Sequence, residues 1–222
     1  MAGTAYPAVL LLGPTGAGKT PLGQWIERHG WAGQRCVHFD FGENLRKAVR
    51  QELPPDCVSP PDIYFLRGVL ERGVLLEDQD FPIAERILLG FLAQRQADHR
   101  TRVILNGLPR HTGQAAAMQH LVAVRTVVCL DCDAPTVLLR IQHDPGGDRA
   151  ERVDDQLAAV RKKLSIYDQR TTPLVDWYRQ RGASILRIEV SAQMTAAQMW
   201  QQVQQAACLH PGALQPEVLA RE

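Results

Sequence analysis

The segment that most limits what this chain can become is Gly13-Pro-Thr-Gly-Ala-Gly-Lys-Thr20. It follows directly on a short apolar run, residues 8–12, and opens a helical pattern. Its glycines let the backbone turn N–H groups inward, and the start of a helix adds positive potential. An apolar strand, this loop and a helix together form a cradle for polyphosphate. Gly13, Thr15, Gly16, Ala17, Gly18, Lys19 and Thr20 are the candidate contacts. Lys19 is placed to reach the β- and γ-phosphates, and the Thr20 hydroxyl to hold Mg2+. The expected ligand is a nucleoside triphosphate, taken as Mg·ATP.

Four further short apolar runs follow, at residues 36–39, 103–105, 126–130 and 185–190. All five are short and mostly apolar on both faces, as buried parallel strands are. Helical patterns lie between them at 20–29, 42–50, 63–72, 82–97, 112–122, 136–142, 154–169, 173–181 and 195–209. Pro82 suits a first helical turn, and Thr195 with Gln198 makes a capping box. The alternation predicts an α/β fold of the P-loop NTPase type, three layers deep (α/β/α), with a five-stranded parallel sheet. Residues 42–99 break the alternation with helices and a Pro-rich loop, and read as a helical insert. Residues 144–152 form a short, charged, glycine-containing loop. The chain is expected to be a single domain, 1–222. Its core is 6–41, 100–143 and 153–209, its insert 42–99, its charged loop 144–152 and its tail 210–222.

Composition narrows the function. Lys+Arg is 25 and Asp+Glu 24 in 222 residues, a net charge of +1. That balance argues against a nucleic-acid or membrane partner. Of the 25 basic residues, 4 are Lys and 21 Arg, and Arg is the side chain that grips phosphate with two parallel bonds. The five cysteines and the lack of a secretory signal point to a reduced, cytoplasmic protein. Cys129 and Cys132 form a lone CxxC inside a strand-like run, which reads as structural rather than metal-binding or redox-active. The seven histidines show no HxxH or HExxH spacing, so no histidine metal site is expected.

A phosphate loop alone leaves kinase, ATPase and GTPase open. The later motifs narrow the choice. Asn106-Gly-Leu-Pro-Arg110 follows the third strand, with Gln114 four residues on. Arg152-Val-Asp-Asp155, Val160-Arg-Lys-Lys-Leu164 and Tyr167-x-x-x-Thr171-x-Pro173-Leu174 come next, in that order. This series resembles the adenylate kinase family of nucleoside monophosphate kinases, from about residue 9 to about residue 209. The resemblance implies Mg2+-dependent, reversible phosphoryl transfer from ATP to AMP or a related nucleoside monophosphate. It also implies that the helical insert binds the acceptor and that a short lid closes over the phosphates. Arg46 and Arg110 would hold the monophosphate, with Phe41, Gly107 and Gln114 at the acceptor nucleoside. Arg152, and Arg149 or Lys163, would clamp the transferring group, and Arg140 would lie against the donor base. The lid lacks the cysteines of zinc-binding relatives, so no structural zinc is expected. The partners implied are the two nucleotides, and the protein is expected to act as a monomer.

Four residues depart from the family pattern. Asn106 stands where an Asp helps order Mg2+, Phe41 where a small Thr or Ser meets the acceptor base, Lys163 where an Arg grips phosphate, and Glu151 where a Gly precedes Arg152. Phe41 would either stack on a base or narrow the pocket. Asp40, ending the second strand, is the residue expected to take the metal-ordering task with Thr20 and Asn106. Asp40 is equally a helix cap in this reading. Two other functions fit the residues: a phosphate-loop kinase of a small hydroxyl acceptor, with Asp40 as its base, or a nucleotide-binding sensor with weakened catalysis.

Overall fold

The five apolar runs become five parallel strands in a computed structural model that describes residues 5–147 and 157–209. They are β1 (Tyr6–Leu12), β2 (Cys36–Asp40), β3 (Arg102–Asn106), β4 (Val122–Asp131) and β5 (Ser184–Glu189), in the spatial order β2-β3-β1-β4-β5. β1 and β3 are buried almost throughout because helices cover both faces of the sheet.

Alternate residues of each strand serve opposite layers. Val9 and Leu11 of β1, with Ile104 and Val128, pack under α1 (Lys19–His29) and α9 (Ala196–Cys208), meeting Leu22, Ile26, Met199 and Val203. Leu10 and Leu12, with Phe39 and Leu105, face the other layer. That layer holds α2 (Phe41–Val49), α3 (Pro60–Arg72), α4 (Phe81–Gln94), α5 (Thr112–Ala117) and α8 (Leu174–Arg179). Fully burying one such side chain stabilises the fold by roughly 1.5–3 kcal/mol.

Helix starts follow local chemistry. Asp40 caps α2 by accepting from Glu43 N at 3.0 Å. Ser59 and Asp62 form a capping box ahead of Pro60 and Pro61 on α3. Thr195 and Gln198 form the expected box on α9.

Two helical expectations end early. The pattern at 112–122 is helical only to Ala117. A 3-10 turn, Met118–His120, follows, and Val122 already begins β4 because residues 122–124 find partners on Tyr6, Pro7 and Ala8. The pattern at 154–169 is described as α7 (Leu157–Ile166) and then widens into a π-helical turn, Tyr167–Thr171. Between β4 and α7 lies α6 (Ala134–His143), capped by Asp133. The sheet order puts β3 and β4 on opposite sides of β1, so a crevice opens at the strands' carboxyl ends, where ligands of open α/β sheets sit.

Candidate active site

The phosphate loop occupies that crevice. Gly16 and Gly18 hold φ of +81° and +97°, which other residues adopt only with strain, and Gly18 hands the chain directly to Lys19 of α1. Lys19 Nζ folds back on the loop and donates to Gly13 O and Pro14 O, both at 2.7 Å.

Beside it, three side chains close a triangle. The Thr20 hydroxyl donates to Asp40 Oδ2 at 2.6 Å. Asn106 Nδ2 donates to Thr20 Oγ1 at 3.0 Å and to Asp40 Oδ2 at 2.9 Å. β2 and β3 pair in a register that sets Asp40 opposite Asn106, which brings the two groups together. Asp40 caps α2 with Oδ1, one of its two expected readings, while Oδ2 faces Thr20. Oxygen donors of this kind, with one carboxylate, suit Mg2+, which keeps most of its waters beside phosphate. Among the described residues no cluster of three or more His, Cys, Asp or Glu stands ready for a metal.

Across the cleft stand α2, the end of α3 and residues 73–76. Arg46 lines this side, and its guanidinium is held by Glu43 at 2.8–2.9 Å; Arg50 takes the other Glu43 oxygen at 3.1 Å. Leu45, Val69, Leu70, Val74 and Leu76 supply an apolar wall. Phe41 is only 4% exposed and packs on Phe39, so its ring belongs to the wall and offers little open face.

Between the two sides stands Arg110, after the cis peptide Leu108–Pro109. Its Nε is buried without a hydrogen-bond partner. Burial pushes its pKa below the ordinary arginine range, against the opposing charge of Asp40. A buried cationic nitrogen left unpaired is costly, and an anion in the cleft would relieve it. Lys163 and Tyr167 line the same space from α7 and the turn after it.

Gln114 lies at the end of the apolar wall and is 1% exposed. Its Oε1 accepts from Arg110 N at 2.8 Å and its Nε2 donates to Leu76 O at 2.9 Å. Arg140 is more deeply set than the sequence suggested. It is 2% exposed, with Nε on Gly16 O at 3.0 Å and Nη1 on Ser191 O and Met194 O at 2.7 and 3.0 Å. Its guanidinium braces the phosphate loop against the β5–α9 connection, and the residue still lines the cleft. Arg149, Glu151 and Arg152 lie outside the described residues.

No protein-family model matches the chain. Curated proteins do. An adenylate kinase of Parvibaculum lavamentivorans is 33% identical over 186 residues, covering 78% of this chain and 80% of its own. One from Stenotrophomonas maltophilia is 35% identical, covering 78% and 86%. A third, from a Synechococcus strain, is 30% identical over 193 residues, covering 83% and 90%. The chain belongs to the adenylate kinase family.

Within this adenylate kinase family member, Gly13, Thr15, Gly16, Gly18, Lys19, Thr20, Asp40, Phe41, Arg46, Asn106, Gly107, Arg110, Gln114, Arg140 and Lys163 line one cleft. Ala17, within the loop, is buried. Cys129 and Cys132 carry free thiols whose pKa burial raises to about 11, so they stay protonated at neutral pH. His111, which follows Arg110 directly, caps α5 and donates to Leu76 O at 3.0 Å. Its position directly after Arg110 is the one signal of it in the sequence.

Proposed function

We propose that this chain catalyses Mg2+-dependent, reversible transfer of a phosphoryl group from ATP to AMP or a closely related nucleoside monophosphate. The observation that carries this reading is the unpartnered, buried Arg110 Nε in a cleft with a phosphate loop on one side and an apolar wall ending in Gln114 on the other. Two polyanions meeting there require cations on both sides and little water between them.

Lys19 would leave the Gly13 and Pro14 carbonyls for the β- and γ-phosphates. Thr20, Asp40 and Asn106 would hold the hydrated Mg2+, which supplies charge neutralisation across the phosphates when bound. Arg46 and Arg110 would hold the acceptor phosphate, and Gln114 its base. Lys163, with Arg149 and Arg152 of the lid, would cover the transferring group, and Arg140 would support the donor side. The attacking atom is an ionised phosphate oxygen, so no general base is needed. A hydroxyl acceptor would need one, and Asp40 is poorly free to serve: its two oxygens already take Thr20, Asn106 and Glu43 N. We place 42–99 as the acceptor insert and 144–152 as the lid of a single domain, in a cytoplasmic monomer without nucleic-acid or membrane partners. The net charge of +1 and the odd cysteine count support the last assignment.

A panel of acceptors with ATP and Mg2+ tests the proposal. ADP formation with AMP, or another nucleoside monophosphate, and with no sugar or hydroxy acid is the expected result. Turnover with a hydroxyl acceptor, or tight nucleotide binding with no turnover at all, would overturn it. A two-nucleotide bisubstrate analogue should also raise the melting temperature well above ATP alone.

A further inference from the structure

The Gln114 amide is held in one orientation from both ends. An amide reads a base edge with its oxygen and nitrogen side by side, and a half-turn about its last bond exchanges the two. Here Oε1 can only be the atom facing Arg110 N–H, and Nε2 can only be the atom facing the Leu76 carbonyl. A half-turn would set the NH2 against Arg110 N–H and the oxygen against Leu76 O. The Leu76 contact is buried and the Arg110 contact partly so, and both would become like against like.

His111 supports this arrangement from behind. Its Nδ1 faces Gln114 N at 3.4 Å as an acceptor, so the proton sits on Nε2, which donates to Leu76 O at 3.0 Å. Leu76 O thus receives two donors, one for each lone pair. His111 is 6% exposed, and Asp78 Oδ1 lies 3.4 Å from Nδ1, which has no proton to give it in this tautomer. Without His111 the Leu76 peptide has only Gln114 to satisfy its oxygen. It could then turn aside and remove half of the penalty for inverting the amide.

We infer that His111, by fixing the Leu76 carbonyl, locks Gln114 in the one orientation that reads a 6-aminopurine and thereby excludes 6-oxopurines from the acceptor site. The inference rests on Gln114 meeting the acceptor base, as in the function proposed above. A 6-aminopurine offers an amino donor beside a ring-nitrogen acceptor, matching the remaining lone pair of Oε1 and the remaining hydrogen of Nε2. A 6-oxopurine offers the reverse order and needs the inverted amide. A lock of this kind makes the site selective because a wrong base leaves buried polar groups unpaired. His111 is a positioning residue: it touches neither substrate and acts through Leu76.

The test compares the native protein with His111→Asn, using AMP and IMP as acceptors with saturating Mg·ATP. Asn retains a capping oxygen for α5 but is too short to reach Leu76 O. The AMP-to-IMP ratio of kcat/KM should fall about tenfold or more, chiefly through a lower KM for IMP. The ratio is read within one preparation, so partial misfolding does not change it. Calorimetric binding of AMP and IMP, without ATP, should show the same fall. A ratio that stays within about twofold, in a variant that binds AMP, overturns the lock alone. If the native protein neither binds nor phosphorylates either monophosphate, the acceptor reading falls and the lock with it.

Discussion

Asp40 and Asn106 sit opposite each other at the carboxyl ends of β2 and β3, joined by a 2.9 Å hydrogen bond, and both contact the Thr20 hydroxyl. In the proposed reading the negative charge at the metal comes from the β2 side, and the neutral amide of Asn106 orients it. Asp40→Asn should keep the α2 cap, since Asn caps well, but should raise the Mg2+ concentration for half-maximal rate severalfold and lower kcat by about tenfold or more. Adding Asn106→Asp to that variant returns one carboxylate to the pair and should recover part of both losses. Asn106→Asp alone puts two carboxylates in contact and should lower the melting temperature when Mg2+ is withheld. A Mg2+ titration of the rate and thermal melts of the three variants check this. An unchanged Mg2+ requirement in Asp40→Asn would remove Asp40 from the metal site.

Arg140 offers a second comparison. If its main work is to tie the phosphate loop to residues 191–194, Arg140→Ala should destabilise the fold by about 1.5–3 kcal/mol, because the carbonyls of Gly16, Ser191 and Met194 lose a shared charged donor. Arg140→Lys should rescue little, since one ammonium cannot span carbonyls on both sides. Urea denaturation without nucleotide measures this directly. A variant of native stability with a raised KM for ATP would instead favour the donor-base contact.

The contrast between these residues shows what the chain's letters reveal. The phosphate loop is legible because strand, turn and helix start are contiguous, and its chemistry is local. Asp40 and Asn106 were legible as strand ends, but their hydrogen bond depends on the β2–β3 register, which no local pattern shows. Arg140 contacts residues 124 positions before it and 51 after it. Resemblance placed it against the donor base; only the packed structure shows how deeply it is set. The contact of His111 with Leu76 is hidden for a similar reason: Leu76 is 35 positions away, in the loop after α3. The early start of β4 is also a tertiary effect, in which pairing with β1 overrides a helical pattern.

Gly23 on α1 is a test of packing. A Cβ there would fall 2.3 Å from Cδ2 and Nε2 of His38 on β2, and both residues are buried. Gly23→Ala removes a flexible residue from a helix, which would stabilise an exposed position. Here the forced displacement of the imidazole should dominate and cost about 1–3 kcal/mol. For a chain of this size that lowers the melting temperature by several degrees, roughly 2–4 °C per kcal/mol. A melt of Gly23→Ala at or above the native temperature would mean that α1 can lift off β2 freely.

His38 links the stability of the fold to pH. Its Nε2 is buried without a partner, and burial lowers its pKa below the usual histidine value, with Asp40 opposing only in part. In the unfolded chain the same imidazole titrates near pH 6.5. As the pH falls through that value, the unfolded state takes up a proton that the native state refuses, so stability declines. The slope from this one group reaches at most about 1.4 kcal/mol per pH unit, and the loss levels off only once the buried ring itself protonates. His38→Phe keeps a ring in the space beside Gly23 but cannot titrate. Urea denaturation at pH 7.5 and pH 5.5 should therefore show a loss for the native protein that exceeds the variant's by about 1 kcal/mol. Equal losses in the two proteins would mean that His38 takes up its proton in the folded state as readily as in the unfolded one, and that the acid sensitivity arises elsewhere.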